Sequence, residues 1–220
     1  MKKCLIIANG QLPKKKDINY LVKIGYSKII CADGGANSAF RLNLVPDLII
    51  GDLDSISQNI FDFYSDKSEI KKIERQNDTD VEKALKYAIS KKYKEVILLG
   101  ATGDRLDHSF CNLGIALKFD DKIKVMILHE KSFLMVVKDE IDFKTSINET
   151  ISIYGFDEKT KVSSKGLKYE LNKTSLQFGV RESTSNEALG NSVKIKTENG
   201  KIFVIREFEA LKKNDFFINS

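Results

Sequence analysis

The first 130 residues of this chain alternate short apolar runs with stretches in which apolar residues recur at helical spacing. Runs that are apolar throughout are typical of strands buried on both faces, which occur in parallel sheets covered by helices. The pattern therefore predicts an α/β domain, in which helices cover both faces of a mostly parallel sheet. Its predicted strands are residues 4–8, 28–32, 48–50, 70–73, 96–99 and 124–128. Its predicted helices are residues 18–25, 36–44, 60–65, 81–89 and 106–117.

The second half of the chain has a different period, because several of its short apolar runs alternate with polar residues. Alternation of this kind is typical of antiparallel strands that have one face against a core. Asn199-Gly200, which lies between two of the runs, is a strong hairpin signal. We therefore predict an α/β domain at residues 1–130 and an antiparallel β-sandwich domain at residues 131–220. The predicted strands of the second domain are residues 133–137, 151–154, 167–171, 193–196 and 202–205.

Composition narrows the class of protein. A chain of 220 residues that is 42% hydrophobic can bury a sizeable core, but it has no apolar run long enough to span a bilayer. The apolar run after Met1 is too short for a signal peptide, so a cytoplasmic protein is expected. The three cysteines are isolated, which indicates neither a zinc site nor a disulfide framework. The net charge of +5 comes without a basic stripe, so no nucleic-acid partner is predicted, although a basic rim could attract a phosphorylated ligand.

Four acidic stretches follow predicted strands or open a predicted helix. Because the loops at the carboxyl ends of the strands form the site in an α/β sheet, these stretches should meet at one edge. Two of them carry glycines that let backbone N–H groups approach a phosphate, although none matches the Walker or dinucleotide-binding glycine pattern. The four stretches are residues 33–37, 51–55, 76–80 and 100–108.

Asp52 and Asp54 are separated only by Leu53, directly after an apolar run. In an extended chain both carboxylates lie on one face and repel each other, and a divalent cation removes this conflict. Hard oxygen ligands suit Mg²⁺, which also binds substrate phosphates, and Asp80 at a helix start is a further candidate ligand. The simpler alternative is that these acids cap a turn and the helix that follows it.

Arg105 and its neighbours indicate a phosphate contact in the last of the four stretches. An arginine can grip a phosphate with two N–H groups and stabilise charge that develops during transfer. Asp107 could hold this arginine or bind a sugar hydroxyl, and a surface Asp–Arg pair without function is the alternative. His108 is either an acid/base group or a structural residue at a helix start.

Six blocks of the sequence together carry a resemblance to one protein family. They are ADGGANS (32–38), PDLIIGDLDSI (46–56), NDTDVEKAL (77–85), LLGATGDRLDHSFCNL (98–113), GLKYEL (166–171) and STSNEALG (183–190). In this order, along nearly the whole chain, they resemble thiamine pyrophosphokinase. The resemblance implies an α/β domain that binds ATP and Mg²⁺, a β domain that helps to bind thiamine, and a homodimer with active sites at the subunit interface.

The resemblance also implies roles for individual residues. Those that match the family's catalytic set are Asp33, Asp52, Asp54, Asp80 and Arg105, of which Asp52, Asp54 and Asp80 are expected to hold the metal. Those expected to bind ATP are Gly34, Gly35, Asn37, Thr102, Arg105, Asp107 and His108. Those expected on the thiamine side are Asp33, Gln76, Ser185 and Asn186. Some relatives carry an aromatic residue just after the Ser-Asn pair, where this chain has Glu187, so the group that stacks on thiamine stays open.

The implied reaction is a direct transfer, in which the primary hydroxyl of thiamine attacks the β-phosphorus of ATP and gives thiamine diphosphate and AMP. In such transfers a protein mainly positions the groups and neutralises charge. Either Asp33 or Asp80 could accept the hydroxyl proton. The alternatives are a pyrophosphokinase of the same fold that acts on another hydroxymethyl heterocycle such as a pterin, a Mg²⁺-dependent phosphohydrolase, and a sensor that binds without turnover.

Overall fold

The computed structural model of the chain describes residues 1–74, 77–103 and 105–217. The chain forms two compact units, Met1–Glu130 and Lys131–Ser220. Within the part of the chain that is described, no helix has the length and apolar character needed to cross a membrane.

The first unit is built on a parallel sheet. Its strands are β1 (Lys3–Ile7), β2 (Lys28–Ala32), β3 (Leu48–Gly51), β4 (Glu69–Lys72), β5 (Glu95–Leu99) and β6 (Lys124–His129). They lie in the order β6-β5-β1-β2-β3-β4, and every neighbouring pair among them is parallel. The four central strands are almost entirely buried, whereas the edge strand β4 is largely exposed. The continuous apolar runs of the sequence are therefore the inner strands of the sheet.

Helices connect these strands. They are α1 (Lys15–Lys23), α2 (Gly35–Arg41), α3 (Gln58–Ser65), α4 (Asp80–Ser90) and α5 (Leu106–Phe119). Helix α4 starts with a capping box, in which Thr79 Oγ1 accepts from the Glu82 N–H and the Glu82 carboxylate accepts from the Thr79 N–H. Helix α2 is shorter than the sequence predicts, since Asn43 just beyond it adopts a left-handed φ of 52°. The capping box fixes Asp80 at the first helical position of α4.

The second unit is antiparallel throughout. Its elements are β7 (Ser132–Lys144), β8 (Thr150–Tyr154), β9 (Lys161–Lys165), β10 (Thr174–Ser175), β11 (Ser183–Glu187), β12 (Ser192–Glu207) and α6 (Phe208–Lys213). Strand β12 pairs with β7 along most of its length, and it also pairs with β9 through its first part and with β8 through its last part. The prediction of an α/β unit followed by antiparallel β structure is confirmed.

Two predictions for the second unit are wrong. Asn199-Gly200 does not close a hairpin, because residues on both sides of it pair with the same strand β7, and the pair lies at a register shift within β12. A Cβ at Gly200 would lie 2.0 Å from Thr160 Oγ1, so this close approach requires glycine. Residues 167–171, predicted as a strand, form a loop that meets residue 188 through a single bridge.

Candidate active site

The acidic stretches of the first unit line one cleft at the carboxyl edge of its sheet, with a volume of about 640 Å³. The loops after β1, β2, β3 and β5 and the start of α4 all contribute to it. Ligand sites of α/β sheets lie in this position because parallel strands deliver their following loops to the same edge. The predicted residues that line the cleft are Asp33, Gly34, Asp80, Thr102, Arg105, Asp107 and His108.

Asp33 lies directly after β2 and is 3% exposed. Its backbone has a left-handed φ of 42°, which is uncommon outside glycine. One carboxylate oxygen, Oδ2, accepts weakly from the Ser55 N–H at 3.3 Å, whereas Oδ1 is buried without a hydrogen-bond partner among the described residues. Burial, together with the negative charges of Asp80 and Asp52, raises the pKa of this carboxyl above its usual value. A buried polar atom left unsatisfied in this way indicates a place for a ligand.

Asp33, Asp52 and Asp80 form a trio of carboxylates, in which one oxygen from each residue lies within 4.8 Å of the others. The spacing depends on Gly51, since a Cβ there would come within 2.7 Å of Asp33 Cβ and 3.1 Å of Asp80 Oδ1. Three converging carboxylates, one with an unsatisfied buried oxygen, are a donor set that suits a hard divalent cation such as Mg²⁺. The residues present therefore fit the metal that the sequence predicts.

Asp54 is not part of this trio, and the extended alternation predicted for residues 52–54 is wrong. Strand β3 ends at Gly51, and Leu53 has a φ of 69°, so residues 52–54 turn and do not continue the extended alternation. Asp54 is exposed, and its carboxylate accepts from its neighbour Ser55 Oγ at 2.9 Å. The structure instead brings Asp33, which directly follows the neighbouring strand β2, close to Asp52.

Lys83 is a residue of the site that the sequence reasoning missed. It lies on α4 one turn after Asp80, and its side chain is buried against the trio. Its Nζ lies 2.8 Å from Asp80 Oδ1 and 3.7 Å from Asp52 Oδ2. Burial disfavours the ammonium form, but the hydrogen bond to Asp80 and the surrounding negative charges outweigh it and raise the pKa of Lys83. The i, i+3 spacing from Asp80 was the available sequence signal.

Arg105 and Asp107 form an exposed pair at the mouth of the cleft. The Arg105 Nε and Nη2 atoms donate to the two Asp107 carboxylate oxygens at 2.9 and 2.6 Å. These hydrogen bonds lower the pKa of Asp107 below its usual value. The exposed imidazole of His108 has its Nε2 3.9 Å from Asp107 Oδ2. A two-pronged arginine at a cleft mouth has the shape that recognises a phosphate.

Of the other residues predicted to bind ATP, some border the cleft and some do not. Thr102 Oγ1 is within hydrogen-bond distance, 2.8 Å, of His129 Nδ1 and borders the cleft. Gly35 and Asn37 do not line the cleft. Gly35 is buried at the first position of α2, and the Asn37 amide ties down the loop after β3 by donating to Ser55 O at 2.8 Å. Asn37 therefore supports the loop that carries Asp52.

The loop after β1 also lines the cleft, although no site residue was predicted there. Asn9 and Gly10 belong to the lining, and the Gly10 N–H donates to Gly100 O at 2.8 Å, which joins this loop to the one after β5. The signal in the sequence is the polar Asn9-Gly10 directly after the first apolar run. Three further residues of α5 also line the cleft, namely Ser109, Cys111 and Asn112.

The predicted thiamine-side residues of the second unit lie on β11. Ser185 is exposed, with a φ of 53°, and its N–H donates to Ser152 Oγ at 3.0 Å. Asn186 is only 2% exposed, and its amide accepts from the Tyr169 N–H at 3.1 Å and donates to Tyr169 O at 2.8 Å. It thus fixes the backbone of Tyr169, whose side chain is 66% exposed. Gln76 lies outside the described residues.

Comparison with known sequences finds the same family along both units. The family model described as "Thiamin pyrophosphokinase, catalytic domain" matches residues 23–127, and "Thiamin pyrophosphokinase, vitamin B1 binding domain" matches residues 138–202. Thiamin pyrophosphokinase 1 of Caenorhabditis elegans is 28% identical over 191 residues, covering 80% of this chain and 77% of the relative. Thiamine pyrophosphokinase 1 of Arabidopsis thaliana is 26% identical over 233 residues, covering 91% and 85%.

Solved structures share the fold. Thiamine pyrophosphokinase from Bacillus subtilis superposes with a TM-score of 0.82 at 23% identity, covering 94% of this chain and 99% of that chain. Thiamin pyrophosphokinase from Candida albicans superposes with a TM-score of 0.81 at 20% identity, covering 93% and 88%. At these identities the structural likeness concerns the fold.

Proposed function

The chain belongs to the thiamin pyrophosphokinase family, and we propose that it transfers the pyrophosphoryl group of ATP to the hydroxyl of thiamine, giving thiamine diphosphate and AMP. The observation that carries the proposal is the trio Asp33, Asp52 and Asp80 with its unsatisfied buried oxygen. Asp33 and Asp80 line the cleft of the unit that matches the family's catalytic domain, and Asp52 has a carboxylate oxygen within 4.8 Å of theirs. The comparisons favour neither a pterin substrate nor a phosphohydrolase.

We assign Mg²⁺ binding to Asp33, Asp52 and Asp80, in place of the set with Asp54 that the sequence predicts. When bound, Mg²⁺ neutralises charge on phosphate oxygens. The residual negative charge of this edge also favours a cationic substrate such as thiamine over a neutral alcohol of the same size.

Arg105 is the residue we assign to the phosphates of ATP. Its guanidinium is exposed at the mouth of the cleft and presents Nε and Nη2 as a fork, now donated to Asp107. A phosphate oxygen pair can take over these two donors, because phosphate and carboxylate have similar bidentate geometry. The loop of Thr102 and the start of α2 at Gly34 border the same space. Phosphoryl transfer requires this kind of positioning, with little covalent chemistry from the protein.

The second unit is proposed to bind thiamine, since residues 138–202 match the family's vitamin B1 binding domain. Ser185 is exposed and can contact a ligand directly, whereas buried Asn186 acts through the backbone of Tyr169. A homodimer with active sites at its interface is also proposed, and the exposed side chains of Leu106 and Phe110, one turn apart on α5, supply an apolar surface for such a contact. A cytoplasmic location stays a prediction.

The test is incubation of the protein with ATP, Mg²⁺ and thiamine, followed by chromatography of nucleotides and thiamine species. Equal amounts of AMP and thiamine diphosphate are expected, with no product when thiamine is omitted. ADP or free phosphate without thiamine dependence would indicate a phosphohydrolase and would overturn the proposal. Turnover with a hydroxymethylpterin but not with thiamine would move the activity to another heterocycle, and binding without turnover would indicate a sensor.

A further inference from the structure

Lys83 is a lysine buried in the region of the first unit that holds three carboxylates. Its side chain is 3% exposed, whereas lysine is almost never fully buried unless it is paired. The carboxylates that face it come from three different elements, namely Asp33 after β2, Asp52 after β3 and Asp80 on its own helix α4. Burial among carboxylates indicates that Lys83 acts as their counter-ion.

The ammonium of Lys83 contacts carboxylate oxygens of the trio. Its Nζ lies 2.8 Å from Asp80 Oδ1, and 3.7 Å from Asp52 Oδ2. Without a cation, three carboxylates this close repel each other, and this repulsion lowers the stability of the folded protein. An ammonium between two of them offsets that repulsion and holds their side chains in one orientation.

We propose that Lys83 is a positioning residue for the acidic trio, which offsets the repulsion between Asp80 and Asp52 and competes with the divalent cation for their oxygens. The trio with Lys83 then carries about two negative charges, which one divalent cation balances. The inference rests on the proposed function, since it takes the trio as the Mg²⁺ site.

Two consequences of opposite sign follow from removing the charge of Lys83. The protein without metal should become less stable, because the repulsion among the carboxylates is no longer offset. A divalent cation should bind more tightly, because it meets a more negative site and no longer displaces an ammonium. A lysine that only fills space in the core predicts the first consequence without the second.

The experiment compares Lys83→Met and Lys83→Gln with Lys83→Arg, which keeps the charge. The control is Lys86→Met, which removes a lysine of the same helix that forms an ion pair with Asp78, a carboxylate outside the trio. Mn²⁺ is the probe, with its dissociation constant measured by titration calorimetry or electron paramagnetic resonance, and thermal unfolding is measured with and without Mn²⁺. Lys83→Gln keeps a hydrogen-bond donor without the charge, so it serves if Lys83→Met folds poorly.

We expect Lys83→Gln to lower the Tm of the metal-free protein by about 5 °C, and Mn²⁺ to restore most of this loss. We also expect Mn²⁺ to bind to Lys83→Gln on the order of tenfold more tightly than to the unmodified protein. Lys83→Arg and Lys86→Met should bind Mn²⁺ as the unmodified protein does. Unchanged or weaker Mn²⁺ binding by both neutral variants overturns the inference, and if the unmodified protein still forms AMP and thiamine diphosphate, the proposed function stands. If the unmodified protein neither binds Mn²⁺ nor turns over, both are overturned.

Discussion

Among the described residues, the parallel sheet of the first unit has a buried carboxylate at each end of its strands, and the two have opposite surroundings. Asp33 at the carboxyl edge and Glu95 at the amino edge are both 3% exposed. Glu95 accepts from the Tyr26 hydroxyl and lies 3.4 Å from Lys3 Nζ and 3.5 Å from Lys124 Nζ. Asp33 keeps an oxygen without a partner among the described residues and faces two further acids.

Strand register explains the difference. Glu95 begins β5, and the parallel register places it between Lys3 of β1 and Lys124 of β6, so its charge is balanced by its neighbours in the sheet. At the other edge the same register brings acids from successive loops together. Removing a buried charge that the fold satisfies is destabilising because its partners are left unpaired, whereas a buried charge that the fold leaves unsatisfied is available to a ligand. The amino edge therefore contributes to stability and the carboxyl edge to ligand binding, and substitutions at each edge can separate these two roles.

The largest expected effect is the loss of turnover in Asp52→Asn. Removing one carboxylate ligand weakens Mg²⁺ binding by the trio, and a weakly held cation neutralises less of the phosphate charge, so kcat should fall by about 10³-fold. Asp54→Asn is the matched control two residues away, since Asp54 is exposed and outside the trio, and its kcat should change by less than about threefold. Steady-state kinetics with ATP, Mg²⁺ and thiamine provide the measurement. Equal losses in the two variants would restore the metal set predicted from the sequence.

At the amino edge the expected effect is on stability. Glu95→Ala leaves the Tyr26 hydroxyl and two lysines without their shared partner, and the free energy of unfolding should fall by about 3 kcal/mol. Glu69→Ala, at the exposed first position of β4, is the control and should change it by less than about 0.5 kcal/mol. Chemical denaturation gives both values, and kcat of folded Glu95→Ala should equal that of the unmodified protein. A loss of kcat without a loss of stability would show that the amino edge takes part in catalysis.

The smallest expected effect is a difference in reactivity among the three cysteine thiols. Burial raises the pKa of Cys4 to about 12 and also raises that of Cys31, whereas Cys111 is exposed and lines the cleft. A thiol reagent at pH 8 should therefore modify Cys111 alone in the folded protein and all three thiols in urea. ATP with Mg²⁺ should slow modification of Cys111. Modification at Cys4 or Cys31 at the rate of Cys111 would contradict the buried position of β1 and β2.

The sequence predicts much of the carboxyl edge, because it depends on a general property of parallel sheets. Once the apolar runs are assigned as strands, the loops that follow them must share an edge, and Asp33, Asp52 and Asp80 do so. The extended alternation predicted for residues 52–54 fails for a local reason, since Leu53 has a positive φ and the chain turns there.

Other features depend on tertiary contacts that short patterns do not contain. The burial of Lys83 requires acids from β2 and β3, and the role of Glu95 requires the register of three strands. Asn199-Gly200 has the local signal of a hairpin, but pairing of both flanks with β7 makes it an irregularity within one strand. Local propensity identifies the irregular backbone there, where Asn199 has a φ of 63°, and does not decide which strands pair around it.

The most direct test that the carboxyl edge serves ligand binding and the amino edge stability is Asp33→Asn. Its turnover is measured, and so is its stability without metal at pH 7. Asparagine accepts the left-handed backbone of this position. A carboxyl whose pKa is raised in the folded state costs stability above that pKa and costs none below its usual value of 3.8, so at pH 7 the variant should lose this cost. We predict that Tm without metal is equal or higher and that kcat falls by at least about 10²-fold. A variant that keeps its turnover, or one that loses stability as Glu95→Ala does, would contradict the account.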